Sequence, residues 1–373
     1  MAVYFDNAAT TAPAEEAVKA FTDTLMLYGN PSSLHSAGAS ARAALEKARG
    51  TLASLAGCKS EELYFTASGT EANNTAIFGV MARAKNARRV VLTDSEHPSV
   101  SECARALELL GAEVVRIPTR GGKVDLGELE RALQQKTALV CVMAVNNETG
   151  SVYDLKGVRS VIDKSGCGAV LHCDAVQGFM KKKGMKRLLR YADTVAFSAH
   201  KLHAPRGVGA LIMRSSLHLP PYLYGGGQER GFRSGTENVA GAVAFAVAAE
   251  SYTEEKLARV AAVRGRIIEN LEKTGKVGFN IPDEHIDGIL SISLYGIKSE
   301  TALNCLSAEG IYISASSACS SKKGVSSVLE AYGLEKAGLD STLRIGISPY
   351  NTVEEADILC NALIAARERY GRI

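Results

Sequence analysis

Several residues able to do chemistry stand just past the ends of short apolar runs. Lys201 closes Ser198-Ala199-His200-Lys201, directly after Thr194-Val195-Ala196-Phe197. Asp174 ends the run Ala169-Val170-Leu171-His172-Cys173-Asp174. His97 follows Arg89-Val90-Val91-Leu92-Thr93, and Ser68-Gly69-Thr70 follows Leu63-Tyr64-Phe65-Thr66. An amine at the end of a buried strand is favoured in its neutral form, which is the form that attacks an aldehyde. The Ser198 hydroxyl and the His200 imidazole beside it suit a phosphate. A buried carboxylate such as Asp174 holds a proton on an aromatic nitrogen. Gln177, three residues further on, is placed to donate to a phenolic oxygen. The small-residue turn at Gly69 and Thr70 opens an apolar helix, so free amides and a hydroxyl face any anion there. The imidazole of His97 suits stacking on an aromatic ring and moving protons. Each piece alone has a plainer reading as a surface lysine, a helix cap or a solvated histidine. Taken together they describe a site for pyridoxal phosphate (PLP), with Lys201 forming the Schiff base.

The elements that must position these residues are legible as alternating strands and helices. Strands are predicted near 62–66, 89–93, 113–117, 138–143, 169–173, 194–197 and 208–213, most of them continuous Val/Leu-rich runs, as in strands covered on both faces. Helical patterns such as Leu126–Gln134 and Asp154–Lys164 fall between them. The alternation predicts an α/β fold with a mostly parallel seven-stranded sheet. Ligand sites in such sheets lie at the carboxyl ends of strands, and Thr70, His97, Asn147, Asp174 and Lys201 all fall there. A long helical pattern from Glu237 to Lys273 is interrupted at Ser251–Glu255. We place a domain boundary at that break, with a large domain over 15–255 and a smaller α+β unit over 256–373. The smaller unit has strands predicted near 289–294, 311–315 and 343–347.

Composition narrows the classes. The 373 residues are 46% hydrophobic with a net charge of +3, enough for a sizeable core and no argument for nucleic-acid binding. The cluster Lys181-Lys182-Lys183 with Lys186, Arg187 and Arg190 reads as a solvated loop and helix face. No secretory signal is visible at the start, and the longest apolar stretch, Val239–Ala249, is too short to span a bilayer. A cytoplasmic protein is the expectation. None of the eight cysteines forms a Cys-x-x-Cys pair or a zinc-spaced cluster, so neither a metal site nor a disulfide framework is predicted. Cys319 stands apart. It lies in Ser314–Gly324, where eight of eleven residues are Ser, Ala or Gly. That composition predicts a mobile loop, and Lys322 and Lys323 nearby favour a thiolate.

In their order these motifs resemble the fold-type I PLP enzymes of the class V aminotransferase superfamily, and most closely the cysteine desulfurases of the NifS/IscS type. The resemblance also takes in Tyr4–Thr11, Tyr28–His35, Asn146–Gly150, Gly225–Gly231, Arg233–Asn238 and Ser317–Ser321, and so covers nearly the whole chain. It implies conversion of L-cysteine to L-alanine, with the sulfur kept as a persulfide on Cys319 and passed to an acceptor. It implies that Lys201, Cys319 and His97 are catalytic. Gly69, Thr70, Asn147, Asp174, Gln177, Ser198 and His200 would hold the cofactor, and Asn147 and Arg344 the substrate carboxylate. Thr236 would reach the phosphate of a neighbouring subunit, making a homodimer. Residues 1–14 would join the small domain. The acceptor would be a sulfur-acceptor protein such as an iron–sulfur cluster assembly scaffold or a tRNA-thiolation protein. The alternatives within the superfamily are a selenocysteine lyase and a true aminotransferase, neither of which needs Cys319. A non-catalytic sulfur-carrier scaffold is the alternative outside it. The residues Leu202–Arg206 depart from the family pattern beside the cofactor lysine.

Overall fold

The computed structural model describes residues 2–84, 87–315 and 326–371. The strands are β1 (Val3–Tyr4), β2 (Leu63–Thr66), β3 (Arg89–Thr93), β4 (Glu113–Ile117), β5 (Leu139–Cys141), β6 (Val170–Asp174), β7 (Thr194–Ser198) and β8 (Gly209–Met213), then β9 (Val277–Phe279), β10 (Ile289–Leu294), β11 (Ile311–Tyr312), β12 (Ser314–Ala315) and β13 (Thr342–Gly346). Among the described residues, β2 to β8 form one seven-stranded sheet in the order β2-β8-β7-β6-β5-β3-β4. All its pairs are parallel except the two made by β8. The other strands therefore run one way and end on one edge, which is where a site can be assembled.

The continuous apolar runs are explained by burial on both faces. Val91, Val140, Val195 and Ile212 point into one core cluster, whereas Val90, Leu92, Leu139 and Leu211 point into another on the opposite face. Alternate side chains of a strand face opposite ways, so a sheet covered twice needs apolar residues at every position. The helix Val239–Glu250 is apolar all round and packs against helices Glu15–Leu25 and Ser36–Ala56. A helix with no polar face is a buried helix. Helix Gly69–Arg83 lies on the other face against β6, β7 and β8.

A second sheet has the order β12-β13-β10-β9, and its core is shared with helices Glu254–Glu272, Ser299–Ala308 and Val353–Tyr370. The single strand predicted over 311–315 is two. β11 pairs in parallel with β1, and β12 pairs antiparallel with β13, so the chain changes partners at Ile313. The N-terminal segment then runs on against β13, through a bridge from Asp6 to Gly346. A Cβ at Gly346 would stand 2.4 Å from the Ala8 nitrogen, so this close passage depends on the missing side chain. It delivers the Ala8 and Ala9 carbonyls to the end of β7.

Candidate active site

A cavity of about 470 Å³ opens at the carboxyl edge of the large sheet. That volume is in the range of small-molecule and cofactor sites. Its walls bring together Gly69 and Thr70, His97, and Asn147. Asp174 and Gln177 come from the end of β6, and Ser198, His200 and Lys201 from the end of β7. Arg344 closes it from β13. Thr236 is not among them. It is exposed, beside Thr66, Arg233 and Asn238 in a separate depression. Cys319 lies outside the described residues.

Local chemistry places each group. Ser68 caps the helix Gly69–Arg83, its Oγ accepting from the Glu71 amide. The first amides of that helix therefore face the cavity mouth with the positive end of the helix dipole. The helix begins at Gly69 itself, inside the small-residue turn. A Cβ on Gly69 would lie 2.7 Å from Val176 Cγ2, so only glycine lets the helix approach β6 and β7 this closely. Lys201 follows β7 through one tight turn, Ala199–Lys201. Its Nζ donates to the Ala8 and Ala9 carbonyls at 2.8 and 2.5 Å. His200 Nδ1 lies 3.1 Å from Thr10 Oγ1, and burial, then Lys201, Lys181 and Arg206, push the imidazole down to about 4. It is a neutral group at physiological pH.

Asp174 is held by a network that sequence reasoning missed. Its Oδ1 accepts from the Val176 amide at 2.9 Å and its Oδ2 from Asn73 Nδ2 at 2.7 Å. Because Nδ2 of Asn73 must face the carboxylate, Oδ1 faces His172 Nε2 at 3.0 Å, and that nitrogen must carry the proton. His172 Nδ1 is then left to accept from Thr194 Oγ1 at 2.9 Å. Burial pushes His172 down to about 3, so the ring stays neutral and the network has one consistent proton arrangement. Asn73 Nδ2 also donates to Ser99 Oγ at 2.7 Å, and Ser99 Oγ stands 2.8 Å from His97 Nδ1. The Ser99 amide donates to the same Nδ1 at 3.1 Å, capping helix Pro98–Leu109. His97 therefore carries its ring proton on Nε2. Burial, with Lys201 and Arg344 adding to it, holds His97 below the ordinary histidine value, against an opposing pull from Asp174.

Arg344 is buried on an interior strand of its sheet, between β12 and β10. Its guanidinium donates to the Asn147 carbonyl at 3.0 Å, to Ser314 Oγ at 3.0 Å and to Asp6 Oδ1 at 3.3 Å. Its Nε and the Asn147 side-chain oxygen are buried without a hydrogen-bond partner. Orphaned polar atoms of this kind at a cavity wall are the mark of a ligand's place. Glu148 also lines the cavity, accepts from Ser326 Oγ at 2.6 Å, and is pushed up to about 7 by burial. The donor set fits PLP: an anchored carboxylate, a strand-end amine, a helix N-terminus for phosphate and an arginine for a carboxylate. Of the residues missed, only Asn73 had a signal, since it lies one helical turn beyond Thr70. Thr10, His172 and Glu148 meet the site only through pairing between distant segments.

Residues 3–359 match the family model described as Aminotransferase class-V. The chain is 38% identical over 369 residues to cysteine desulfurase 2 of Trichormus variabilis, covering 95% of this chain and 90% of that protein. It is 37% identical over 382 residues to a NifS/IcsS protein homolog of Lactobacillus delbrueckii subsp. bulgaricus, covering 100% of this chain and 98% of that one. A solved structure of a NifS-like protein superposes with a TM-score of 0.92 at 34% identity, covering 99% of this chain and 100% of its own.

Proposed function

The chain belongs to the aminotransferase class-V family, and we propose that within it this protein is a PLP-dependent cysteine desulfurase. It converts L-cysteine to L-alanine and retains the sulfur as a persulfide on Cys319. The observation that carries this reading is the convergence of Lys201, Asp174 and Arg344 on one cavity whose wall includes Ala315, four residues before Cys319.

Lys201 would hold PLP covalently and Asp174 would keep its ring nitrogen protonated. Gly69, Thr70, Ser198 and His200 would take the phosphate. When bound, PLP supplies the electron sink that lets bonds at the substrate α-carbon break. Arg344 orients the substrate carboxylate, with Asn147 beside it; a guanidinium meets a carboxylate through paired donors. Lys201 Nζ takes and returns the Cα proton. Any proton delivered by His97 leaves from Nε2, because Nδ1 is committed to Ser99. Cys319 thiolate attacks the substrate sulfur, so an S–S bond forms, the C–S bond breaks with its electron pair going to carbon, and that carbon takes a proton. Ala315, four residues before Cys319 in the chain, lines that cavity. On the other side Ser326 is tied to Glu148, which shares the same wall.

We further propose a domain division, a shared dimer site and a compartment. The division into 15–255 and 256–373 with 1–14 is supported by two core clusters, one containing Tyr252 and the other Val3, Phe5 and Val260. Ala8 and Ala14 of the N-terminal segment, and Ile286 and Ile289, nevertheless belong to the first cluster. A homodimer with Thr236 donated to the neighbouring phosphate is supported by the exposure of Thr236 and of Tyr28, Leu34 and Tyr224. A structure of the assembled protein with Thr236 remote from every cofactor phosphate overturns the sharing, as does full activity in a monomer. We place the protein in the cytoplasm, passing sulfur to an acceptor of iron–sulfur assembly or tRNA thiolation; no described helix is long and apolar enough to cross a membrane.

The deciding experiment combines two measurements. Borohydride reduction of the holoenzyme and peptide mapping should place the cofactor on Lys201, and a label on another lysine rejects that role. Incubation with L-cysteine should give alanine and, with a reductant, an equal amount of sulfide. Pyruvate or glutamate in place of alanine would make the protein a different member of the family.

A further inference from the structure

The Lys181–Lys183 run reads in sequence as a solvated patch, and the structure divides it. Lys183 does sit in solvent, 2.9 Å from Glu254. Lys182 reaches the His285 carbonyl at 2.8 Å. Lys181 turns the other way. Met180 before it has a φ of +63°, an uncommon conformation for a residue with a side chain, sustained only where the surroundings enforce it. Lys181 Nζ donates to Gln177 Oε1 at 3.0 Å. Gln177 Nε2 donates to the Ala8 carbonyl at 2.8 Å, the same carbonyl that accepts from Lys201. One amide and one carbonyl thus join the two amines. Both lysines also line a second cavity of about 20 Å³, room for a single water.

We propose that Lys181 is a positioning residue of the cofactor site, setting which way Gln177 faces and opposing a positive charge at Lys201. The inference rests on Lys201 being the PLP lysine. A protonated lysine head group can only donate, and Lys181 Nζ has the Gln177 oxygen as its partner. Gln177 must therefore turn its oxygen to Lys181 and its NH2 toward the cavity. One N–H goes to Ala8, and the other is left to donate to the phenolic oxygen of the cofactor. The charged groups around Lys181 are Lys201, with His200 and His203 on the turn after β7, and Arg344 on β13. Lys256 and Glu16 stand beyond His203, and Tyr252 shares the small cavity. Both histidines are held at about 4 and carry no charge near neutrality. Burial, then Lys201 and Arg344, bring Lys181 down to about 7, so its charge changes within the working range.

Removing Lys181 acts in one direction through both effects. The repulsion that disfavours a proton at the Lys201 nitrogen is lost, and the ring oxygen loses a fixed donor that favours its anion. In Lys181→Met the visible-absorbance titration of the Lys201-bound cofactor should move up by about one pH unit. Lys181→Arg, which keeps the donor and a permanent charge, should reverse the upward shift and hold the midpoint at or below the wild-type value. An unmoved midpoint in Lys181→Met, or in Lys181→Gln if the Met variant does not fold, overturns the inference. In cofactor-free protein at pH 6.5, acylation of Lys201 followed by peptide mapping should be several-fold slower in the variant. A wild-type protein with no cofactor on Lys201 sinks the functional reading instead. The acylation rates then decide the Lys181 inference by themselves, and equal rates overturn it.

Discussion

Cys319→Ser is expected to bind PLP as the wild-type protein does and to lose release of sulfur from cysteine by on the order of 10³-fold or more. The cofactor withdraws electrons at the α-carbon, but the sulfur must leave as an electron-poor atom, and something must supply the pair that receives it. A thiolate does this at neutral pH. A serine hydroxyl is neither ionised nor polarisable enough. Four of the other seven cysteines are held away from that role. Cys141 and Cys173 are fully buried in β5 and β6, and burial drives both thiols far above their ordinary value. Cys360 is buried in helix Val353–Tyr370 and pushed up to about 12 by the same cause. Cys305 lies in helix Ser299–Ala308, packed against the core of the smaller sheet. Incubation with labelled cysteine and mass spectrometry without reductant should place the added sulfur on Cys319 alone. Wild-type turnover in the Ser variant would remove the persulfide from the mechanism and favour a lyase that needs no enzyme thiol.

Asp174→Asn is expected to lower turnover on the order of 10³-fold, about 4 kcal/mol in the barrier, and to weaken retention of PLP. An amide cannot hold a proton on the ring nitrogen, so the electron sink is lost. The variant carries a second penalty visible only in the structure. Both carboxylate oxygens accept from fixed donors, Val176 N–H and Asn73 Nδ2. Whichever way the new amide turns, its NH2 meets one of those donors. A buried donor facing a donor costs roughly 1–3 kcal/mol, so thermal stability should fall in cofactor-free protein as well. Asn73→Ala should reproduce part of the loss of activity while leaving Asp174 in place. Turnover within tenfold of wild type in Asp174→Asn would show that ring protonation does not depend on this carboxylate.

The division between what was legible and what was not follows the range of the forces involved. The seven strands of the large sheet, the helix Val239–Glu250 and the polar break near Ser251 were readable, because burial on both faces writes itself into consecutive residues. The candidate site was readable at strand ends, since a lysine, an aspartate and a Gly/Thr turn at the same edge of a parallel sheet must converge. The cofactor class was legible in those same residues, and the reaction came from the resemblance carried by the order of whole motifs. Strand β9 and the split of 311–315 were not legible, because short edge pairings carry almost no local pattern.

By itself, then, the sequence determined the α/β class, the edge on which the site lies, and the chemistry available there. Tertiary structure alone decided how that chemistry is held. The Ala8 and Ala9 carbonyls reach Lys201 from residues about 190 positions away, through a passage that Gly346 leaves open. Asn73, His172 and Thr194 fix Asp174 from three separate elements. Lys181 and Lys183, two residues apart, end in a partly buried network and in solvent. Hydrogen bonds between segments distant in the chain depend on exact placement of both partners, and no local periodicity encodes that placement.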